Sequence, residues 1–141
     1  MKLSLVVTGW NNIKINLIMI TEDYVSNETA KLLKERGFDC IVTRSFFEHD
    51  NCYAPCDPSE VPRKDAIAIP TIQMAMKWLR EKHNLYVDII LHSMYHTLVY
   101  EVRIDKINSP SDIDVILPQI SEPTYENACE AAIKYCLENL I

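Results

Sequence analysis

The chain has 141 residues, enough for one domain to bury a core of its own. It is 48% hydrophobic and 24% charged, and no run approaches the roughly 20 apolar residues a membrane-crossing helix needs. Twenty acidic against fourteen basic residues give a net charge of −6 with no basic stripe, which argues against nucleic-acid binding driven by phosphate neutralisation.

Residues 1–18 have two readings. They are an upstream extension ahead of a start at Met19, or a β-hairpin of Leu3–Thr8 and Ile13–Ile20 turning at Gly9-Trp10-Asn11-Asn12. Gly9-Trp10 interrupts the apolar run before a signal-peptide core is complete, so a cytoplasmic chain is expected. Residues 19–141 read as a single α+β domain. Ser26 caps a helix that runs through Ala30, Leu32 and Leu33 to Arg36, and Gly37 occupies the closing left-handed position. Phe38–Phe47 has strand composition. Glu48–Asp65, with Pro55, Pro58 and Pro62, reads as a loop, and Ala66–Ile69 as a short strand.

Pro70-Thr71 opens a second helix whose inner face is Ile72, Ala75, Met76, Leu79 and His83, with Trp78 beside it, and Asn84 ends it. The period then changes from 3.6 to 2. Leu85, Val87, Ile89 and Leu91 point one way, and Tyr86, Asp88, Ile90 and His92 the other. After a polar turn, Leu98, Tyr100, Val102 and Ile104 alternate with Val99, Glu101, Arg103 and Asp105, and Ile113–Leu117 forms a third strand. Thr124 caps the last helix, where Cys129, Ala132, Ile133, Cys136, Leu137 and Leu140 make one apolar stripe. The expected fold is α+β: a three-stranded antiparallel sheet with helices packed on one face, in helix-strand-strand-strand-helix order over residues 70–140, plus an N-terminal helix.

Chemistry is less legible. The two glycines, Gly9 and Gly37, leave neither a Walker loop nor a dinucleotide fingerprint, so no cofactor of those types is expected. Cys40, His49, Cys52 and Cys56 are candidate metal ligands near the proline-rich loop. Against zinc stand the strand pattern around Cys40 and the missing second close-set pair. His83, Asp88, His92 and His96 form a second cluster from which an acid–base pair or metal site could be drawn. The plainer reading is a wet sheet face with Tyr86, Asp88, His92 and Arg103 as binding candidates and an Asp88–Arg103 cross-strand ion pair. Trp78 is a recognition anchor or a core residue. Five cysteines without an export signal read as reduced thiols, those of the last helix as small core hydrophobes.

Glu28-Thr29-Ala30-Lys31-Leu32-Leu33-Lys34-Glu35-Arg36-Gly37-Phe38-Asp39, the block from Pro70-Thr71 to Lys77-Trp78-Leu79-Arg80-Glu81-Lys82-His83-Asn84, and Thr124-Tyr125-Glu126-Asn127-Ala128 leading to Leu140-Ile141 together resemble a group of small proteins of gut Bacteroidales genomes and their phages or prophages. The resemblance covers about residues 19 to 141 with gaps. It implies no activity, and no functional residue is carried over. The function expected is a small accessory protein acting by contact with a protein partner, without catalysis. A metal-dependent domain using the loop Cys/His set is the alternative, and nucleic-acid binding through the wet sheet face is the weaker one.

Overall fold

The computed structural model describes residues 21–48, 50–55 and 65–141 in full, and the backbone of 2–7 and 13–18. The N-terminal strands β1 (Lys2–Val7) and β2 (Ile13–Ile18) pair antiparallel, with Leu5 opposite Ile15. Their turn, Gly9-Trp10-Asn11-Asn12, and Met19 lie outside the described residues.

Helix α1 (Asn27–Glu35) begins at Ser26, whose hydroxyl accepts the Thr29 N–H. It closes in a Schellman arrangement: Phe38 N–H donates to Leu33 C=O and Gly37 N–H to Lys34 C=O, with Gly37 at φ +84°. That closure corrects the expected strand over Phe38–Phe47. Phe38 is spent on the helix end and on an edge contact to Trp78, so strand β3 covers only Arg44–Phe47.

The expected loop Glu48–Asp65 also holds a strand, β4 (Cys52–Pro55), paired with β3 so that Phe46 faces Tyr53 at 5.0 Å between rings. Pro55 is tolerated because β4 lies at the edge of its sheet. Arg44 strengthens the pairing by stacking its guanidinium 4.1 Å over the Tyr53 ring. Strand β5 (Ala66–Ala68) joins the other side of β3.

Helix α2 (Ile72–His83) is capped by Thr71 and closed by Asn84 in the left-handed conformation, φ 55°. The main sheet follows: β6 (Leu85–Met94), β7 (Thr97–Ser109) and β8 (Asp112–Ile116), antiparallel in that order. A fourth strand that the sequence did not announce, β9 (Ser121–Glu122), pairs with β7 at Tyr100 and Glu101. Helix α3 (Tyr125–Asn139) completes the chain.

The core side of the sheet carries Leu85, Val87 and Ile89 on β6 and Val102 and Ile104 on β7. Helices α2 and α3 cover it. Cys129, Ala132, Ile133, Cys136 and Leu137 are fully buried, as the stripe requires. Each buried leucine or isoleucine contributes about 1.5–3 kcal/mol of transfer free energy. Helix α1 lies on α3, where Glu130 takes hydrogen bonds from Ser26 and Thr29, and Lys134 from α3 reaches Glu28 at 2.7 Å. One core cluster thus joins Val25 and Leu33 to Leu137. No described helix is long and apolar enough to cross a membrane.

Candidate functional site

The strands of the main sheet outrun the helices that cover them. Ten residues of β6 span about 33 Å and thirteen of β7 about 43 Å, while the twelve of α2 rise only about 18 Å. Cover of β7 ends at Tyr100, which meets Tyr125, the first residue of α3, edge to face at 6.2 Å. Leu91, directly opposite Tyr100, and Leu98 beyond it still occupy core-side positions of the alternation, yet they are 52% and 56% exposed. The expectation that they share the buried face is therefore corrected. Alternation fixes which way a side chain points, and a helix must reach it before it is buried.

The overhang ends in Tyr95-His96, both left-handed at φ 47° and 65°, the backbone of a type I′ hairpin turn. Asn and Gly adopt this conformation readily. An L-residue with a large side chain is disfavoured by about 1 kcal/mol. Tyr95 holds it with 93% of its surface in water, so folding gains little from a tyrosine there. Met94 beside it is exposed as well.

The sheet face away from the helices gathers the four binding candidates. Tyr86, Asp88 and His92 project from β6 and Arg103 from β7, with Asp88 directly opposite Arg103 in the ladder. The expected Asp88–Arg103 ion pair is nevertheless not the one that forms. Arg103 Nε and Nη2 donate to Asp105 at 2.8 and 3.1 Å, and this pair holds the guanidinium pKa above its ordinary value. Asp105 lies two residues along the same strand and face, so it offers both oxygens to the planar fork. His92 Nδ1 lies 3.2 Å from Glu101. Across the three strands, Tyr86, Asp105 and Val115 form one row, and Ile113 stands opposite Ile107. Ile113 and Val115 are about half exposed.

The histidine cluster divides. His92 and His96 belong to the hairpin, whereas His83 sits at the end of α2 against the Trp78 ring, 4.6 Å away. Burial there lowers its pKa. Trp78 itself is 3% exposed and belongs to the core. Cys40 is exposed in an irregular segment, which corrects its expected place in a strand, and Cys52 is exposed on β4. Burial and the Asp39 charge raise the Cys40 thiol pKa. His49 and Cys56 lie outside the described residues. Among the described residues, no three His, Cys, Asp or Glu side chains are grouped to hold a metal ion.

A cleft of about 180 Å³ lies where α2 and α3 begin, lined by Glu22, Asp23, Thr71, Gln73, Tyr125 and Glu126 among others. Its lining carries the carboxylates of Glu22, Asp23 and Glu126 and the hydroxyls of Thr21, Thr71 and Tyr125.

Nine of the twelve large hydrophobic side chains exposed among the described residues fall between Tyr86 and Leu117; the others are Ile41, Tyr53 and Tyr125. Sequence reasoning missed Leu91, Met94, Tyr95 and Leu98. The signal was present in the apolar residues that continue past His92 on both faces, up to the turn. Comparison of the chain with protein-family models, curated proteins and solved structures finds no match.

Proposed function

We propose that this chain is a small protein-interaction module without catalytic activity. It docks a partner protein on the β6–β7 hairpin and the adjoining uncovered sheet face. The observation that carries the reading is the concentration of exposed Leu91, Met94, Tyr95 and Leu98 on one overhanging hairpin. Large apolar side chains left exposed on one element of a folded domain mark contact sites, here Leu91 and Leu98 on the core-side face of the ribbon and Met94 on the other. A bulky residue held in a disfavoured turn conformation is a mark of function before stability. The Arg103–Asp105 ion pair and the His92–Glu101 contact supply a polar rim of the kind protein interfaces carry. The partner surface is accordingly apolar at its centre. The reading extends to a cytoplasmic accessory protein of a phage or mobile element, on the strength of the residue blocks at 28–39, 70–84 and 124–141 alone.

Quantitative affinity capture from the native cells, comparing wild type with Met94→Lys/Leu98→Lys, tests it. Both positions are exposed, so the variant retains the fold. Specific proteins held by wild type and lost from the variant are the expected result. Equal capture by a folded variant overturns the reading.

A further inference from the structure

Among the described residues the main sheet has one long open edge. Strand β7 is paired on both sides, whereas among the described residues β6 is paired only with β7. Ile107 N–H donates to Asn84 C=O, and Asn84 is therefore in a hydrogen-bonded pair at the start of the ladder. Alternation along an antiparallel ladder then turns the backbone groups of Tyr86, Asp88, Ile90, His92 and Met94 toward β7. Those of Leu85, Val87, Ile89, Leu91 and Ser93 face away from it. Natural edges of this length are blunted by proline, lysine, bulges or a covering element. Strand β6 has no proline and no lysine, and its ten residues pair with β7 in unbroken register.

We propose that this edge pairs with the β6 edge of a second copy of the chain, antiparallel about a two-fold axis at Ile90. The side chains select both the occupant and the register. The acidic and imidazole groups of β6, Asp88 and His92, are four residues apart on one face. Antiparallel self-pairing centred on Ile90 sets each Asp88 opposite His92 of the second copy, Tyr86 opposite its Met94, and Ile90 opposite its Ile90. Centred on Asp88 or His92, the strand opposes like groups. Centred on Ile89 or Leu91, it leaves Asp88 facing an apolar side chain. With Ile90 at the axis these outer-face pairs occupy the non-hydrogen-bonded positions, where side chains approach most closely. On the other face Leu91, half exposed in the single chain, is covered by Ile89 of the second copy. Two four-stranded sheets become one continuous sheet, and an isologous contact of this kind closes on itself.

The backbone edge of β6 makes this contact, and Ile89→Pro leaves Met94 and Leu98 of the docking hairpin unchanged, so the two readings fail separately. Light scattering after size exclusion on the full chain tests it over a range of concentrations. The expected mass is twice 16.3 kDa, falling to the monomer value in Ile89→Pro. That substitution deletes an N–H on the open edge and spares the bonds to β7. Should circular dichroism find Ile89→Pro unfolded, the exposed pair Asp88 and His92 carries the test. Asp88→Lys weakens the dimer at least tenfold in Kd, and Asp88→Lys/His92→Asp restores it within about threefold. A monomer at every concentration overturns the proposal, as do higher oligomers without a dimer plateau. So does a dimer indifferent to both Ile89→Pro and Asp88→Lys, and failure of the double exchange to restore it overturns the register.

Discussion

Glu130 on the last helix accepts both the backbone N–H of Ser26, at 3.0 Å, and its hydroxyl, although 104 residues separate the two. The same Oε1 atom takes the hydroxyl of Thr29, which is fully buried. One carboxylate therefore completes the start of α1 from across the tertiary contact. Glu130→Ala removes an acceptor shared by three donors and leaves the Thr29 hydroxyl without it. The expected loss is about 1–3 kcal/mol of unfolding free energy in urea titrations, with Glu130→Gln losing less. A change within experimental error would refute the clamp.

Gly37 gives a cleaner case of backbone cost. A Cβ built at this position meets nothing within 4 Å, and φ is +84°. Gly37→Ala is expected to destabilise by about 1 kcal/mol through conformation alone, with an unchanged circular dichroism spectrum. Asparagine, which tolerates the left-handed region, is expected to fall between the two.

The cysteines separate by depth. Burial pushes the Cys136 thiol up to about 12 and raises that of Cys129, while Cys40 and Cys52 are exposed. Alkylation is expected to mark Cys40 and Cys52 in the native protein because both are exposed, with Cys40 slowed by its raised thiol pKa. Cys129 and Cys136 react only after denaturation. Peptide mapping by mass spectrometry reads the pattern, and rapid native labelling of Cys136 would contradict the packing of α3.

His83 makes stability depend on pH with a definite sign. Desolvation against the Trp78 ring lowers its pKa from 6.5, so the unfolded chain binds the proton more readily than the folded one. Stability from this group is full above the unfolded value and declines as pH falls through and below 6.5. His83→Phe keeps an aromatic ring at the contact and removes the proton site. Unfolding curves taken on either side of that value are expected to show a smaller acid loss in the variant, and identical losses would exclude His83 as a contributor.

Much of the architecture was legible in the residues because it is local. Ser26, Thr71 and Thr124 cap their helices, Gly37 and Asn84 close two of them in left-handed backbone, and the α3 stripe is buried to the last full turn. Each follows from contacts within a few positions in sequence, and so does the alternation of β6 with β7. Beyond those ranges the sequence was silent or misleading. Strand β4 forms because Phe46, Arg44 and Tyr53 meet across a gap that its prolines disguise as loop, and β9 exists only because β7 has a free stretch beside Tyr100.

The site depended on tertiary structure for two reasons. Periodicity gives the direction of a side chain, whereas burial needs a second element long enough to arrive, and α2 and α3 stop short of Leu91 and Leu98. Arg103, with Asp88 across the ladder and Asp105 along the strand, chose the partner offering two oxygens in plane with its fork. Facing, capping and register were written locally in the chain. Cover, edge exposure and the selection among competing ionic partners were decided where distant segments meet, since those depend on distances that sequence order does not contain.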